Sequence, residues 1–290
     1  MRGAAEIVRD GGVLFRDIAR LGEKEESGVE YLFARAIRCL AKGQPSMAPV
    51  LNLLNLVCFS KEKHQGNWTD FLDSLKSEIL PLLSSTNQVG ENLEHIPRQG
   101  DTLITFSNSS TVSNVIVGCY ERFQWPRKVI CGEGRPLQEG VAMARRIHAS
   151  GVNVQLTTDA AMMSLVDTAD AVWVGGDTLS RQGLVNKIGS KALAQLATFN
   201  DIPFVSIMSR LKLLAPSLLP FSRFLSQNPR EIVAEGGEGL EIINEYYEIV
   251  PLKYVSWILT EQGLETPVDL VESIENTAIS PLFRELVTRQ

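Results

Sequence analysis

An aspartate and a lysine that could act on a small ligand follow one apolar run of this 290-residue chain. The run AVWV is followed by Gly175, Gly176 and Asp177, and Asn186-Lys187 then opens a second apolar segment. Short apolar runs bounded by glycine are typical of buried strands, and asparagine is a common helix N-cap. We expect Asp177 just past a strand and Lys187 at the positive end of a helix, where they suit a phosphorylated, hydroxyl-bearing molecule. The alternative is a solvated loop with a turn aspartate.

Four more short apolar runs lie after residue 100, at 102–107, 128–132, 153–158 and 203–208. Segments with helical spacing of apolar residues separate the runs. Strand-then-helix units in succession predict an α/β fold with a mostly parallel, doubly wound sheet. Residues 209–250 contain several prolines and are expected to be irregular, and a late helix is expected over 254–262.

Each predicted strand ends in polar residues. The carboxyl ends of parallel strands share one edge of the sheet, so these residues predict a polar pocket for a phosphate or a polyol. Arg135 suits a phosphate, although an ion pair with Glu133 or a surface position would also explain it. The run 107–113 offers hydroxyl and N–H groups, and ordinary helix capping explains it as well. We expect Asp159 to be a structural cap and Cys131 to be a buried, inert thiol.

Residues 1–95 have helical spacing of apolar residues, and the chain divides into a helical domain at 1–95 and a Rossmann-like domain at 96–290. Helices are expected over 28–43, 45–58 and 67–82, with Gly43 ending the first and Asn67 capping the third. The polar stretch 84–100 lacks periodicity and is the expected linker.

Composition excludes several classes of protein. The net charge is −6 with dispersed basic residues, which does not favour direct nucleic-acid binding. No apolar run approaches the roughly 20 residues that span a bilayer, and the start lacks the apolar core of a signal peptide, so we expect a cytoplasmic protein with no membrane contact.

Cysteines without metal-ligand spacing predict free buried thiols and no metal site. GEGRPL fails as a dinucleotide motif and no Walker motif occurs, so no cofactor is expected.

Five stretches, in order, resemble one known family. VGGDTLSRQGLVNKIGS resembles its VGAD…NG…NKIGT signature, and GEGRPLQEG is similar to its ETRP-x-x-x-G element. The other three are QPSMAPVLNL, QLTTDAAM and NEYYEIVPLKYVSWILTEQG. The family comprises the alpha, beta and delta subunits of translation initiation factor 2B, with ribose-1,5-bisphosphate isomerase and methylthioribose-1-phosphate isomerase. The resemblance covers about residues 28–267 and implies a helical domain followed by a Rossmann-like domain.

The resemblance also assigns roles to single residues. Asp177 matches the catalytic aspartate of the isomerases. Asn186 and Lys187 match positions that contact the substrate, and Arg135 matches the arginine of the ETRP element.

One departure from the isomerases concerns their catalytic cysteine, which directly precedes an asparagine after the first strand. Here Ser107 stands in its place, before Asn108 and Ser109, and these two are further candidates for ligand binding. Serine is a far weaker acid than cysteine, so proton donation by Ser107 would be impaired.

Two functions remain open on these grounds. The first is an initiation factor 2B-like protein that binds a sugar phosphate or a nucleoside monophosphate without full isomerase activity. The second is an aldose–ketose isomerase of a phosphorylated ribose that uses Asp177. A scaffold without a ligand is a third reading, but it leaves the polar strand ends unexplained. The resemblance implies a homodimer through the C-terminal domain, with partner subunits also possible.

Overall fold

The computed structural model describes residues 4–25, 27–64, 67–84, 88–90, 93–96, 98, 100–237 and 239–288. Described residues of Met1–Thr86, Arg210–Phe224 and Val271–Gln290 form one compact unit, the helical unit. Those of Asn87–Ser209 and Leu225–Leu270 form a second, the sheet unit. The first division between these units lies at residues 86–87, whereas the sequence predicts it at 95–96. Two later segments, 210–224 and 271–290, belong to the helical unit. Parts of the expected linker at 84–100 lie outside the described residues.

The helical unit contains α1 (Ala4–Gly22), α2 (Val29–Gly43), α3 (Ala48–Lys63), α4 (Trp68–Ser74), α5 (Leu80–Ser84) and, late in the chain, α11 (Pro281–Thr288). Its core holds the rings of Phe15, Phe33 and Phe71, with centroids 5.6 and 5.9 Å from Phe33. Asn67 caps α4 as predicted, since its Oδ1 accepts hydrogen bonds from Thr69 N and Asp70 N at 3.1 Å. The predicted helical character of this region is confirmed.

The sheet unit is built on a seven-stranded sheet with the order β10-β9-β7-β4-β1-β2-β3. Its strands are β1 (Thr102–Phe106), β2 (Lys128–Gly132), β3 (Asn153–Thr157), β4 (Ala171–Val174), β7 (Phe204–Ile207), β9 (Trp257–Thr260) and β10 (Gly263–Glu265). All neighbours are parallel except β10, which pairs antiparallel with β9. The five predicted strands are therefore present, and the predicted α/β class is confirmed.

Helices α6 (Ser110–Phe123), α7 (Glu139–Ala149), α8 (Asp159–Met163), α9 (Ser190–Phe199) and α10 (Pro267–Ser273) connect or follow these strands. The central strands β1 and β4 are buried on both sides, as parallel strands usually are. Leu103 and Trp173 belong to the core shared with α6 and α7. In the described part of the chain, no helix is both long and apolar enough to cross a membrane.

A second sheet, not predicted from the sequence, follows β4. Its three antiparallel strands are β5 (Thr178–Ser180), β6 (Gly183–Lys187) and β8 (Tyr247–Val250), in the order β5-β6-β8. The prediction that Asn186 caps a helix and that Lys187 begins it is wrong, because both residues lie in β6. Helix α9 begins only at Ser190, after Gly189 with a φ of 102°.

Two other local predictions also differ from the structure. The helix expected over 254–262 is wrong, because this segment contains β9, which extends the sheet beside β7. Cys39 is exposed, whereas Cys58, Cys119 and Cys131 are buried as expected.

Two hairpin glycines give a matched test of the small sheet. A Cβ added at Gly183, between β5 and β6, would lie 2.5 Å from the Val250 carbonyl oxygen on β8. At Gly263, between β9 and β10, it would meet nothing within 4 Å in the described structure. Both have positive φ, 138° and 121°, so both substitutions share a backbone cost. Gly183→Ala should lose about 1–3 kcal/mol more unfolding free energy than Gly263→Ala in urea titrations. Equal losses would show that β8 does not pack against this turn.

Candidate functional site

The candidate site lies at the carboxyl edge of the seven-stranded sheet, between β1 and β4. From β1 the chain proceeds outward to β2 and β3, then returns to β4 on the other side of β1. Such a switch point leaves a crevice outside the strand ends, where α/β proteins bind ligands. The segments after β1 and β4 approach closely, since a Cβ added at Gly175 would lie 3.1 Å from Ser109 Oγ.

A buried ion pair occupies this edge. Lys187 Nζ lies 2.8 Å from Glu139 Oε1, with side chains 5% and 22% exposed. Ser107 Oγ donates a hydrogen bond of 3.1 Å to the same carboxylate oxygen. Glu139 Oε2 is buried and has no hydrogen-bond partner among the described residues. Ser107 itself has a φ of 68°, a strained conformation for a residue with a side chain, of the kind that often marks a functional site.

Close packing of the backbone at the start of α7 against the end of β2 determines the position of Glu139. A Cβ added at Gly140 would lie only 1.9 Å from the Gly132 carbonyl oxygen, so α7 can begin against the end of β2 only with glycine there. Gly134, with a φ of 78°, packs beside the Glu139 carboxyl group. The Asp159 carboxylate fixes the intervening loop by accepting hydrogen bonds from Gly134 N (2.8 Å) and Arg135 N (2.7 Å).

Two tyrosines of the β8 segment complete the surroundings of Lys187. Lys187 Nζ lies 5.1 Å from the ring centroid of Tyr246. The Tyr246 hydroxyl donates to Glu231 Oε2 at 2.6 Å. Tyr247 pairs with Lys187 across β6 and β8. Burial raises the pKa of the Tyr247 hydroxyl, and the nearby carboxylates of Asp177 and Glu139 raise it further. Both carboxylates therefore act on the hydroxyl of Tyr247.

Comparison with known proteins identifies the family of this chain. The model of the initiation factor 2 subunit family matches residues 1–267. The chain belongs to the initiation factor 2 subunit family. A ribose 1,5-bisphosphate isomerase of Methanocaldococcus jannaschii is 26% identical over 92% of this chain and 88% of that protein. A translation initiation factor eIF-2B subunit 2-like protein of Pyrococcus horikoshii is 30% identical over 92% of each. The crystal structure of a translation initiation factor eIF-2B of Pyrococcus horikoshii OT3 matches with a TM-score of 0.77, at 29% identity over 94% of each chain.

The structure brings some residues predicted from the family motifs together and separates others. Ser107 and Lys187 meet through Glu139, and Asp177 lies near Tyr247. Asn186 is adjacent to Lys187 in β6, so the two side chains leave opposite faces of the strand. The Asn186 side-chain amide is buried and donates to Ser190 Oγ at 3.0 Å.

The remaining candidates lie along the strand ends. Ser109 caps α6 by accepting from Val112 N at 3.3 Å, whereas Asn108 and Arg135 are exposed. Asp159 is structural, but it is not the expected helix cap: Thr158 caps α8, and the Asp159 carboxylate holds the loop before α7 instead. Cys131 is 1% exposed and burial raises its thiol pKa to about 12, as expected for an inert thiol. Among the residues described, no group of three or more His, Cys, Asp or Glu side chains is arranged to hold a metal ion.

Glu139, Tyr246 and Tyr247 were missed as site residues. Glu139 lies inside the GEGRPLQEG stretch and is an acid in the first turn of a helix, a position that the helix dipole alone explains. The tyrosines reach Lys187 through the pairing of β6 with β8, which are about sixty residues apart in the chain. Their signal lay only in the similarity of NEYYEIV to the family motif.

The raised tyrosine pKa predicts alkaline destabilisation. A tyrosine of the unfolded chain ionises near its ordinary pKa of 10.0, whereas folded Tyr247 keeps its proton at higher pH. The stability that Tyr247 contributes is therefore complete below about pH 10 and is lost as the pH rises further. Tyr247→Phe should flatten the fall of unfolding free energy above about pH 10 in urea titrations.

Tyr254→Phe is the matched control for this experiment. Hydrogen bonds with Gln195 and Lys253 lower the pKa of Tyr254, so its removal should not flatten the alkaline fall. An identical slope in the wild type and in Tyr247→Phe would show that folding does not raise the pKa of this hydroxyl.

Proposed function

We propose that this member of the initiation factor 2 subunit family binds a sugar phosphate or a nucleoside monophosphate at the carboxyl ends of β1, β2 and β4, without full isomerase activity. The observation that carries the proposal is the buried Lys187–Glu139 pair beside Ser107 at the switch point. Removing an ammonium group from water is costly, and a folded protein usually retains such groups where they bind or position a polar partner.

The chemistry of the strand ends supports this class of ligand. The carboxylates of Asp177 and Glu139 are acceptors suited to the hydroxyl groups of a sugar. Exposed Arg135 and the N-terminus of α6, which spans Ser110–Phe123, supply positive charge for one phosphate.

The serine at position 107 is an argument for ligand binding without full isomerase activity. Moving hydrogen between adjacent carbons of a sugar requires an acid and a base placed on the reacting atoms. Ser107 is a poor acid, and its hydroxyl hydrogen is directed to Glu139. Cys131 cannot substitute, because it is buried and its thiol pKa is raised to about 12.

An aldose–ketose isomerase of a phosphorylated ribose is the second candidate function. Its support is the likeness to relatives named ribose 1,5-bisphosphate isomerase and methylthioribose-1-phosphate isomerase. The position of Asp177 just past β4, at the carboxyl edge of the sheet, also favours it. In this alternative Asp177 shuttles the proton, and a residue other than cysteine assists.

Ligand binding and proton exchange together test the two functions. Ribose 5-phosphate or adenosine monophosphate should raise the melting temperature of the wild type. Asp177→Asn should weaken the binding about tenfold, because it removes a charged acceptor for a ligand hydroxyl. Exposed Asp167 gives the control, since Asp167→Asn should leave binding unchanged.

The exchange experiment uses ribose 1,5-bisphosphate in deuterated water. The wild type should incorporate no deuterium at carbon. Incorporation that disappears in Asp177→Asn would establish the isomerase instead, and the absence of any ligand-induced melting shift would refute both functions.

Assembly is a separate part of the proposal. We propose that this chain forms a homodimer through its sheet unit, with partner subunits possible. One solved structure of similar fold is the tetrameric eIF2B-beta2-delta2 complex of C. thermophilum. Native mass spectrometry of the purified chain should show a dimer. A monomer across micromolar concentrations would contradict this proposal without affecting ligand binding.

A further inference from the structure

We propose that Glu139 determines ligand specificity at this site, so that ligands with one phosphate group bind and bisphosphates are rejected. This inference rests on the proposed function, because it concerns which phosphorylated molecule the site accepts. At the end of the crevice beside Lys187, Glu139 allows a hydroxyl group of the ligand to bind and excludes a phosphate group.

The first argument is that the charge of Lys187 is already compensated. Its side chain is 5% exposed and its ammonium lies 2.8 Å from Glu139 Oε1. The other close group is the Tyr246 ring, 5.1 Å from Nζ, which also attracts a cation. A phosphate arriving at Lys187 must displace Glu139 or lie beside a carboxylate, and like charges in contact disfavour binding strongly.

The second argument is the local excess of negative charge. Glu139 lies against the Lys187 ammonium, and the Asp177 and Glu139 carboxylates both raise the pKa of the buried Tyr247 hydroxyl, whose residue pairs with Lys187 across β6 and β8. Arg135 is exposed on the loop before α7, and its backbone N–H is held by Asp159. The site therefore offers a cation for one phosphate at this loop and no uncompensated cation for a second phosphate at Lys187.

The third argument concerns hydrogen-bond donors. Glu139 Oε1 accepts from Ser107 Oγ and Lys187 Nζ, while Oε2 is buried without a hydrogen-bond partner among the described residues. An unsatisfied carboxylate oxygen favours a donor. A sugar hydroxyl that enters the cluster can donate to this carboxylate, whereas a fully ionised phosphate has only acceptors to offer.

Calorimetric titration of two related ligands tests the proposal. Ribose 5-phosphate and ribose 1,5-bisphosphate differ at one position, where the first has a hydroxyl and the second a phosphate. The wild type should bind the monophosphate at least about tenfold more tightly. Glu139→Gln keeps the shape of the side chain but removes its charge, and it should shift the affinity ratio about tenfold toward the bisphosphate.

Glu133→Gln is the matched control. Glu133 lies on the loop between β2 and α7, and its carboxylate accepts from Gln138 Nε2 at 3.3 Å rather than from Lys187. This variant loses the same charge from the loop, so it should leave the affinity ratio unchanged. An equal shift in both variants would attribute the effect to net charge and overturn the role of Glu139.

The wild-type comparison decides the matter even if Glu139→Gln does not fold. Bisphosphate binding as tight as that of the monophosphate overturns this inference and leaves the proposed function in place. If ribose 5-phosphate, adenosine monophosphate and ribose 1,5-bisphosphate all fail to bind, the proposed function itself is refuted.

Discussion

The buried ammonium of Lys187 is the constraint on which the candidate site depends. At 5% exposure it has lost its water, and Glu139 at 2.8 Å is its compensating charge. Removing one partner of such a pair typically costs about 3–5 kcal/mol, because the other charge is left buried alone. The start of α7 and the end of β6, which carry the two charges, must therefore stay together. The pair ties the small antiparallel sheet to the edge of the large parallel one.

Backbone geometry prepares this contact before any side chain takes part. Gly140 allows α7 to start against the carbonyl oxygen of Gly132, and this places residue 139 beside the end of β2. Gly134 leaves room for the carboxyl group, and Asp159 holds the loop through two backbone N–H groups. The glycines of GEGRPLQEG thus position a carboxylate, a use of glycine that differs from the cradling of a dinucleotide phosphate.

Sequence patterns predicted what local hydrophobicity determines. Strands β1, β2, β4 and β7 are short, mainly apolar runs that are largely buried, whereas the edge strand β3 is mostly exposed. Asn67 is a cap whose partners lie within three residues. The wrong secondary-structure predictions fall where contacts with residues distant in the chain determine whether a segment forms a helix or a strand. Asn186 resembles a helix cap, but pairing with β8 draws it into a strand, and Glu248 caps α9 instead through Gly189 N and Lys191 N. The apolar spacing at 254–262 is compatible with a helix or a strand, and pairing with β7 makes part of this segment a strand, β9.

The same distinction explains the partial prediction of the site. Asp177 lies just past β4, as the local pattern requires, and family motifs identified Lys187 and position 107. None of these signals predicts that Ser107 and Lys187 share one acceptor, because Glu139 is distant from both in sequence. That shared acceptor changes the chemistry of both groups. The serine hydroxyl directs its hydrogen to the carboxylate of Glu139, and the same carboxylate compensates the lysine charge.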